Sequence, residues 1–386
     1  MNIPSRLFAA RGQKQTVLKK YWHADMDEHY IIKLKWSHNS QRLAAASADG
    51  PIGIFDRSSG NWVRTLPGHG IGTLVIDWHP TTEILASGGQ DGKICLWDVT
   101  AGALQATLDG GGMWVERVAW MPATQSRVLR GRSTTVLDQS SEALLLASTA
   151  GKLLRLWRVD GTIVRETRDH VSTIADIAWM PVNAPLNRQN KSPNERTATA
   201  PVLVCATYGG LTLWRTDQDE PIGRYQWKGS TLVIACSPNG QFIATGDQDS
   251  TVHFWITRTE LDLQMWGYAT KVRELAWDHT SRYLATGGGS VVTVWDCSGK
   301  GPEGTRPLQF DIHEGQISAL SFQHRGMYLA SGCSDGLVVV WAVGQSKKPK
   351  ATLQFDGAIS QLSWSHDDQL LAVGTERGDV AVLSMT

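Results

Sequence analysis

Short runs in which apolar and polar residues alternate recur along the whole chain, with turn residues between them. The stretch 69–98 is the clearest copy. Alternating apolar residues at 74–78 are followed by Pro80, by a second run at 84–87 and by a third run that ends in Trp97. Alternation with a period of two predicts β-strands, and Pro and Gly turns between such strands predict an antiparallel meander.

One large residue recurs in the first predicted strand of each copy and serves as a register for the repeat. Successive copies lie 41 to 45 residues apart, except for two longer intervals of 59 and 57 residues. We call these positions the register residues and the copies units one to eight. The register residues are Trp36, Trp78, Trp120, Trp179, Cys236, Trp277, Phe322 and Trp364.

A His opens the copy at 69–98, and a Trp-Asp pair ends its third strand. This pair of features, recurring at about 40–45 residues, is typical of WD-repeat β-propellers, in which four strands form one blade. The chain resembles this family over nearly its whole length. The resemblance implies an all-β protein that forms a single β-propeller of four-stranded antiparallel blades. We expect eight blades, with seven as the alternative because seven is the commonest number in the family.

An outer strand is available after each of units one to seven, but unit eight ends at Thr386 with no residues left for one. Residues 15–22 precede unit one and have strand character. We therefore expect this segment to supply the outer strand of the last blade, which would close the ring and protect an open sheet edge. The predicted organisation is a flexible extension at 1–14 and a propeller at 15–386. The seven expected outer strands are 62–66, 104–108, 162–167, 222–226, 261–265, 307–310 and 351–355.

Units three and four carry insertions between their first and second strands, at 121–142 and 181–201. The second insertion has almost nothing to bury between 183 and 200 and is expected to be mobile. Both insertions are basic, and they are interpreted either as solvated loops without a role or as a binding region for an acidic partner. Their basic residues are Arg127, Arg130, Arg132, Arg188, Lys191 and Arg196.

The composition narrows the function classes. The 386 residues include 37 Lys+Arg and 37 Asp+Glu, so the net charge is zero and a wholly basic nucleic-acid binder is disfavoured. The five cysteines are scattered without a Cys-x-x-Cys motif, which favours buried free thiols in a reducing compartment. No segment has the length of a signal peptide or a membrane span. We expect a soluble, cytoplasmic, monomeric protein with no cofactor, no association with a membrane, and one or more proteins as partners.

The family resemblance implies that a His, a Ser, an Asp and the Trp of a unit form a buried hydrogen-bonded set. A Ser/His/Asp trio also suggests a hydrolase. Here the trio repeats with strand periodicity and ends on an indole, so we interpret it as structural and expect no enzyme activity. The complete sets are His69, Ser87, Asp91 and Trp97 in unit two, and His313, Ser331, Asp335 and Trp341 in unit seven.

Four further histidines stand two residues after the register residue, in units that are consecutive once the ring closes. They are His38, His279, His324 and His366. Imidazoles along one arc are possible zinc or nickel ligands. The turn carries either Pro or His in the family, and no Cys or carboxylate pattern supports a site. We therefore expect no metal and keep these residues as weak candidates.

The family binds partners across its entrance face, which is formed by the start of each first strand and the turn between the second and third strands. By position, the partner-binding candidates there are Tyr30, Trp114, Glu116, Tyr208, Lys271 and Arg273. Aromatic and Arg side chains dominate interface energetics. The sequence predicts a non-catalytic interaction scaffold, assembly factor or adaptor. The alternatives are a metal-binding or metal-homeostasis accessory protein and a binder of an acidic partner through the basic loops.

Overall fold

The computed structural model describes residues 17–27, 29–123, 144–181, 184–186, 200–299 and 301–386. Within these ranges the chain consists of strands and the turns between them, without a helix. Every strand pair is antiparallel, as the alternating pattern predicts, and every pair except the first strand with the last joins strands that are consecutive in the sequence. The prediction of an all-β propeller with four-stranded antiparallel blades is confirmed.

The thirty strands form seven hydrogen-bonded sheets. One sheet joins β1 (Leu18–Asp25) to β30 (Asp379–Met385), β29 (Leu370–Thr375) and β28 (Ile359–Trp364). The second sheet contains β2 (Ile31–Trp36), β3 (Arg42–Ser47), β4 (Ile52–Asp56) and β5 (Trp62–Leu66). The third contains β6 (Thr73–Trp78), β7 (Ile84–Gly89), β8 (Lys93–Asp98) and β9 (Ala103–Asp109). The fourth contains β10 (Val115–Trp120), β11 (Leu146–Ala150), β12 (Leu153–Trp157) and β13 (Ile163–Thr167). A six-stranded sheet contains β14 (Asp176–Trp179), β15 (Val202–Arg215), β16 (Gly223–Cys236), β17 (Phe242–Asp247), β18 (Val252–Ile256) and β19 (Leu261–Met265). The remaining two contain β20 (Leu275–Trp277), β21 (Tyr283–Thr286), β22 (Val292–Asp296) and β23 (Leu308–Phe310); and β24 (Ile317–Phe322), β25 (Tyr328–Cys333), β26 (Leu337–Ala342) and β27 (Ala351–Gln354).

Counted as hydrogen-bonded sheets, the propeller has seven blades, so the expectation of eight is wrong and the alternative holds. The cause lies in units four and five, which share the six-stranded sheet. The turn Tyr208-Gly209-Gly210 of unit four is short, and β15 continues through it. Tyr208 pairs with Ser230 while Gly210 pairs with Gln226, so one ladder crosses the boundary between the units. All eight register residues nevertheless stand at the end of an inner strand.

The N-terminal segment supplies the outer strand of the last blade, as predicted, although β1 begins at Leu18 and ends at Asp25 rather than spanning 15–22. It pairs along β30 from Leu18 opposite Met385 to Asp25 opposite Asp379. Trp22 also reaches unit one, where its Nε1–H donates to the Arg57 carbonyl at 2.9 Å. The strand therefore joins the last blade to the first. Residues 1–14, predicted to be a flexible extension, lie outside the described ranges.

Five of the six register tryptophans link neighbouring units directly. In each, the indole Nε1–H donates to the carbonyl of the residue just before the register residue of the preceding unit. The bonds are Trp78 to Lys35 (2.9 Å), Trp179 to Ala119 (3.0 Å), Trp277 to Ala235 (3.0 Å), Trp364 to Ser321 (3.1 Å) and Trp36 to Ser363 (3.0 Å). The last of these runs from unit one to unit eight and closes the ring.

Carboxylates link the inner strands at two of the remaining boundaries. Asp77 Oδ2 accepts the backbone N–H of Trp120 at 2.9 Å, which joins units two and three. Asp176 Oδ2 accepts the backbone N–H of Ile234 at 2.9 Å, which joins units four and five. Unit five has Cys236 at its register position, so no indole is available there. At this boundary the bond between the Asp176 carboxylate and the Ile234 N–H takes the place of the missing indole bond.

The hydrophobic core lies between adjacent sheets. One cluster, for example, packs Ile52 and Ile54 of unit one against Ile76, Leu85 and Trp97 of unit two. Part of the second insertion joins this core. Ala184 is buried, and Leu186 packs on the cluster of units four and five. The prediction that 183–200 has almost nothing to bury is therefore wrong at 184–186. Residues 124–143, 182–183 and 187–199 lie outside the described ranges.

Removal of residues 1–25 should lower the melting temperature by more than about 5 °C and promote aggregation. The reason is that β30 would become an open edge and the buried side chains of Leu18 and Trp22 would be lost. The measurement is calorimetry with light scattering on the full chain and the truncated chain. A shorter truncation of residues 1–16 keeps β1 and is the control. Equal melting temperatures for the full chain and the 1–25 truncation would contradict the closing role of β1.

The substitution Trp36→Phe should destabilise the protein by about 1–3 kcal/mol, because it leaves the Ser363 carbonyl without its donor. Trp62→Phe is the matched control. Its indole N–H also donates to a carbonyl, that of Arg64, but within an exposed outer strand. Its effect should stay within about 0.5 kcal/mol. Urea unfolding of both variants measures the difference, and equal destabilisation would refute a special role for the bond that closes the ring.

Candidate functional site: the entrance face and the central channel

The polar set of unit two is a closed hydrogen-bonded network. His69 Nε2 lies 2.9 Å from Ser87 Oγ, and His69 Nδ1 lies 2.9 Å from Asp91 Oδ1. Trp97 Nε1–H donates to the same Ser87 Oγ at 2.9 Å. The imidazole and the hydroxyl are buried and are engaged by these bonds. The arrangement therefore holds the loop before the first strand against the second and third strands.

Unit seven contains the same set with one thiol inserted. His313 Nε2 lies 2.7 Å from Ser331 Oγ, which also accepts Trp341 Nε1–H at 2.8 Å. His313 Nδ1, however, lies 2.8 Å from Cys333 Sγ, and the thiol donates to Asp335 Oδ1 at 2.5 Å. The set expected from the sequence did not include this thiol.

The equivalent position in unit two carries no side chain. Gly89 stands where unit seven has Cys333, and a Cβ at Gly89 would lie 2.2 Å from His69 Cγ. Unit two thus has no room for a side chain between its His and its Asp. In unit seven, the donor atoms of His313, Cys333 and Asp335 lie within 4.8 Å of one another. They are the one such group of metal-ligand atoms among the described residues.

Two other units build the same support from different residues. In unit four, Trp214 Nε1–H donates to His170 Nε2 at 3.2 Å without an intervening Ser. In unit six, Tyr268 takes the place of the His. Its hydroxyl accepts Trp295 Nε1–H at 2.9 Å and lies 3.0 Å from Thr286 Oγ1. A phenol in the loop before the first strand was the available signal, and its spacing to Thr286 matches that of His69 to Ser87.

The four histidines at the other turn do not form a ligand set among the described residues. The His324 and His366 rings are 4.7 Å apart, centroid to centroid, and His324 Nε2 lies 3.2 Å from the Trp364 carbonyl. His38 Nδ1 lies 3.8 Å from Glu83 Oε1, and His279 is exposed. Within the described chain, no three of the four bring ligand atoms together. The structure therefore gives no support to a metal site on this arc.

The entrance face carries a run of exposed apolar side chains. They lie in the loops before the first strands and in the turn of unit four, and their exposed fractions are between 45% and 73%. Four successive units, one to four, contribute, and unit six adds one more. The residues are Tyr30, Ile71, Met113, Trp114, Val171, Tyr208 and Trp266. We call this set the apolar arc; it contains three of the predicted partner-binding residues.

Glu116 and Arg273 both line the central channel, where Glu116 is half-buried and Arg273 is exposed. The channel encloses a cavity of about 510 Å³ between the inner-strand segments of units one to six and eight. Lys271, two residues before Arg273, is half-buried and stands outside this lining. The structure thus separates the predicted site into an apolar arc at the rim and a charged channel below it.

The basic residues of the insertions lie outside the described residues. Arg127, Arg130 and Arg132 fall in 124–143, and Arg188, Lys191 and Arg196 fall in 187–199. Their proposed role in binding an acidic partner stays a prediction. No helix in the described chain is long and apolar enough to cross a membrane. The cytoplasmic location also stays a prediction.

Comparison with known proteins agrees with this geometry. The family model described as "WD domain, G-beta repeat" matches residues 60–98, 222–255, 263–296 and 304–342. A solved structure of a computationally designed protein, Ika8, superposes with a TM-score of 0.70 at 19% identity, over 92% of this chain and 96% of that one. This second likeness concerns the fold alone. The chain therefore contains four WD40 repeats and folds as a β-propeller.

Curated relatives match only in part. The protein HIR1 of Cryptococcus neoformans is 27% identical over 168 residues, which cover 37% of this chain and 19% of that protein. Eukaryotic translation initiation factor 3 subunit I of Aspergillus fumigatus is 26% identical over 182 residues, or 43% of this chain and 52% of that protein. The chain therefore spans about a fifth of the first relative and half of the second.

The network of unit seven should make stability depend on pH. Burial lowers the pKa of His313 to about 4, below its ordinary value of 6.5. Between these values the unfolded chain binds a proton that the folded chain excludes. This contribution is therefore complete above pH 6.5 and is lost as the pH falls to 4, by about 3 kcal/mol at most. Between pH 7 and pH 5, the urea midpoint should fall more for wild type than for His313→Gln. An equal fall in the two proteins would contradict the assignment of this pH dependence to His313.

Proposed function

We propose that this protein is a non-catalytic interaction scaffold or adaptor that binds protein partners through the apolar arc of its entrance face. The observation that carries the proposal is the concentration of exposed large apolar side chains on four successive units of one face. Exposed apolar surface that is gathered in one place marks an interaction site, whereas single exposed residues do not. Trp and Tyr anchors are the residues most enriched among the energetic centres of interfaces.

Local contacts hold the loops that carry the apolar arc in place. A Cβ at Gly92 of unit two would lie 3.1 Å from the Met113 carbonyl, and one at Gly151 of unit three would lie 3.6 Å from the Met113 side chain. The loop of Met113 and Trp114 thus spans the turns of two neighbouring units. The Tyr208 backbone N–H donates to Ser172 Oγ at 2.9 Å. Anchors fixed in this way lose little conformational entropy when a partner binds.

The comparisons are consistent with a scaffold role at the level of the family. One relative is named as a subunit of a translation initiation factor, and that name applies to the relative alone. A partner for this chain is proposed from its surface, because the arc gathers exposed aromatic anchors on one face. A partner with an exposed apolar segment would fit this surface best.

The double variant Trp114→Ala/Tyr208→Ala should lose its partners, because it removes the two anchors of units three and four. Capture from native lysate with wild type and the variant, compared by quantitative mass spectrometry, identifies the partner. Titration of the purified partner should then show affinity at least about ten-fold weaker for the variant.

Leu104→Ala is the matched control, because Leu104 is an exposed apolar residue on the outer strand β9. It should bind as wild type does. Far-UV circular dichroism checks that both variants fold. Undiminished affinity of the double variant, or an equal loss with Leu104→Ala, would exclude the apolar arc as the partner site.

A further inference from the structure

The central channel carries an excess of positive charge that the protein does not neutralise itself. Its cavity of about 510 Å³ falls in the size range of small-molecule sites. Seven charged side chains line it, four basic and three acidic. Two of the acids come from the inner strands of units two and four, and both already have partners in the protein.

Asp77 and Asp176 use both carboxylate oxygens. Asp77 Oδ1 lies 3.2 Å from Lys35 Nζ, while its Oδ2 accepts the backbone N–H of Trp120. Asp176 Oδ1 accepts Arg117 Nε–H at 2.8 Å, while its Oδ2 accepts the backbone N–H of the next unit. Each of these two ion pairs has no net charge. They leave no carboxylate oxygen without a partner for another base.

Lys33 lies on the same wall, on strand β2, and forms no hydrogen bond or ion pair with any residue that the structure describes. Burial, and then the charges of Lys35 and Arg117, lower the pKa of Lys33 to about 8, and Asp176 and Asp77 offset this only in part. The amine is therefore still an ammonium at neutral pH. Lys33 is half-buried, and a partly desolvated ammonium without a counterion is unfavourable, so a bound anion would remove that cost.

The remaining two charged side chains do not reverse the balance. Arg273 has no ion pair within the described ranges, and neither has Glu116. The two ion pairs contribute no net charge. Lys33 and Arg273 are positive and Glu116 is negative, so the cavity lining has a net charge of +1. Lys33 was not among the predicted partner-binding residues, because those were chosen at the positions six and four places before the register residue. Lys33 is three places before Trp36.

We propose that the central channel is a binding site for a small soluble anion with a phosphate or carboxylate group, and that Lys33 is its principal counterion. A charge-assisted hydrogen bond from the Lys33 ammonium would hold the anionic group. Arg273, which belongs to unit six, adds a second positive charge to the lining of the channel. The site is separate from the apolar arc, so its failure would leave the proposed partner surface untouched.

The test uses the full chain with inorganic phosphate and citrate as probes, at pH 7 and at constant ionic strength so that screening is equal. Isothermal titration and thermal shift should show saturable binding of at least one probe. Phosphate alone would assign a phosphate ligand, citrate alone a carboxylate ligand, and both a shared anion site. The absence of saturable binding for both probes would overturn the proposal.

Three variants locate the site. Lys33→Met keeps the apolar stem but removes the charge, and should weaken binding at least about ten-fold. Lys33→Arg keeps the charge and should retain binding, and Lys93→Met, at an exposed lysine of unit two, should behave as wild type. Without a probe, Lys33→Met should melt no lower than wild type, because it removes an uncompensated charge. Binding by Lys33→Met within about two-fold of wild type, or a lower melting temperature without a probe, would overturn the assignment to Lys33.

Discussion

The hydrogen bond from the register indole to the preceding unit is the interaction on which the ring depends. A propeller blade cannot bury its own faces, so each must be held against its neighbours at a fixed angle and distance. The repeated Trp meets this need at five boundaries, where its indole N–H donates to a carbonyl at the same place in the inner strand of the preceding unit. Because the bond from Trp36 reaches Ser363, the same interaction that spaces the units also closes them into a ring.

The rest of the architecture follows from the need to leave no sheet edge open. β1 covers β30, and Trp22 then fastens that strand to unit one, so chain ends that are far apart in sequence stabilise each other. Units four and five solve the same problem differently. Their boundary carries neither a register indole nor a long turn, and β15 and β16 continue across it in one sheet. A continuous ladder, together with the bond from the Ile234 N–H to Asp176, connects these units in place of the indole bond.

A rigid ring of this kind lets stability and recognition use different residues. The His, Ser, Asp and Trp sets, in which the His, Ser and Trp are buried, satisfy their polar atoms with one another and so support the loops above them. The side chains that remain exposed on those loops are apolar anchors, and the side chains that point into the ring at Lys33 and Arg273 are charged. Each group is positioned by strands that the core holds, so its geometry does not depend on the ligand.

The sequence by itself determined the repeat, the strands and the residues that mark each unit, because these depend on local periodicity and turn chemistry. It also located the closing strand, because the segment before unit one has strand character. Tertiary structure alone decided how many sheets form, because hydrogen bonding across Tyr208 and Ser230 joins residues of different units. The same holds for Cys333 between His313 and Asp335, and for Lys33 without a partner. Whether a polar group is satisfied depends on neighbours that are distant in the chain, and no local pattern records them.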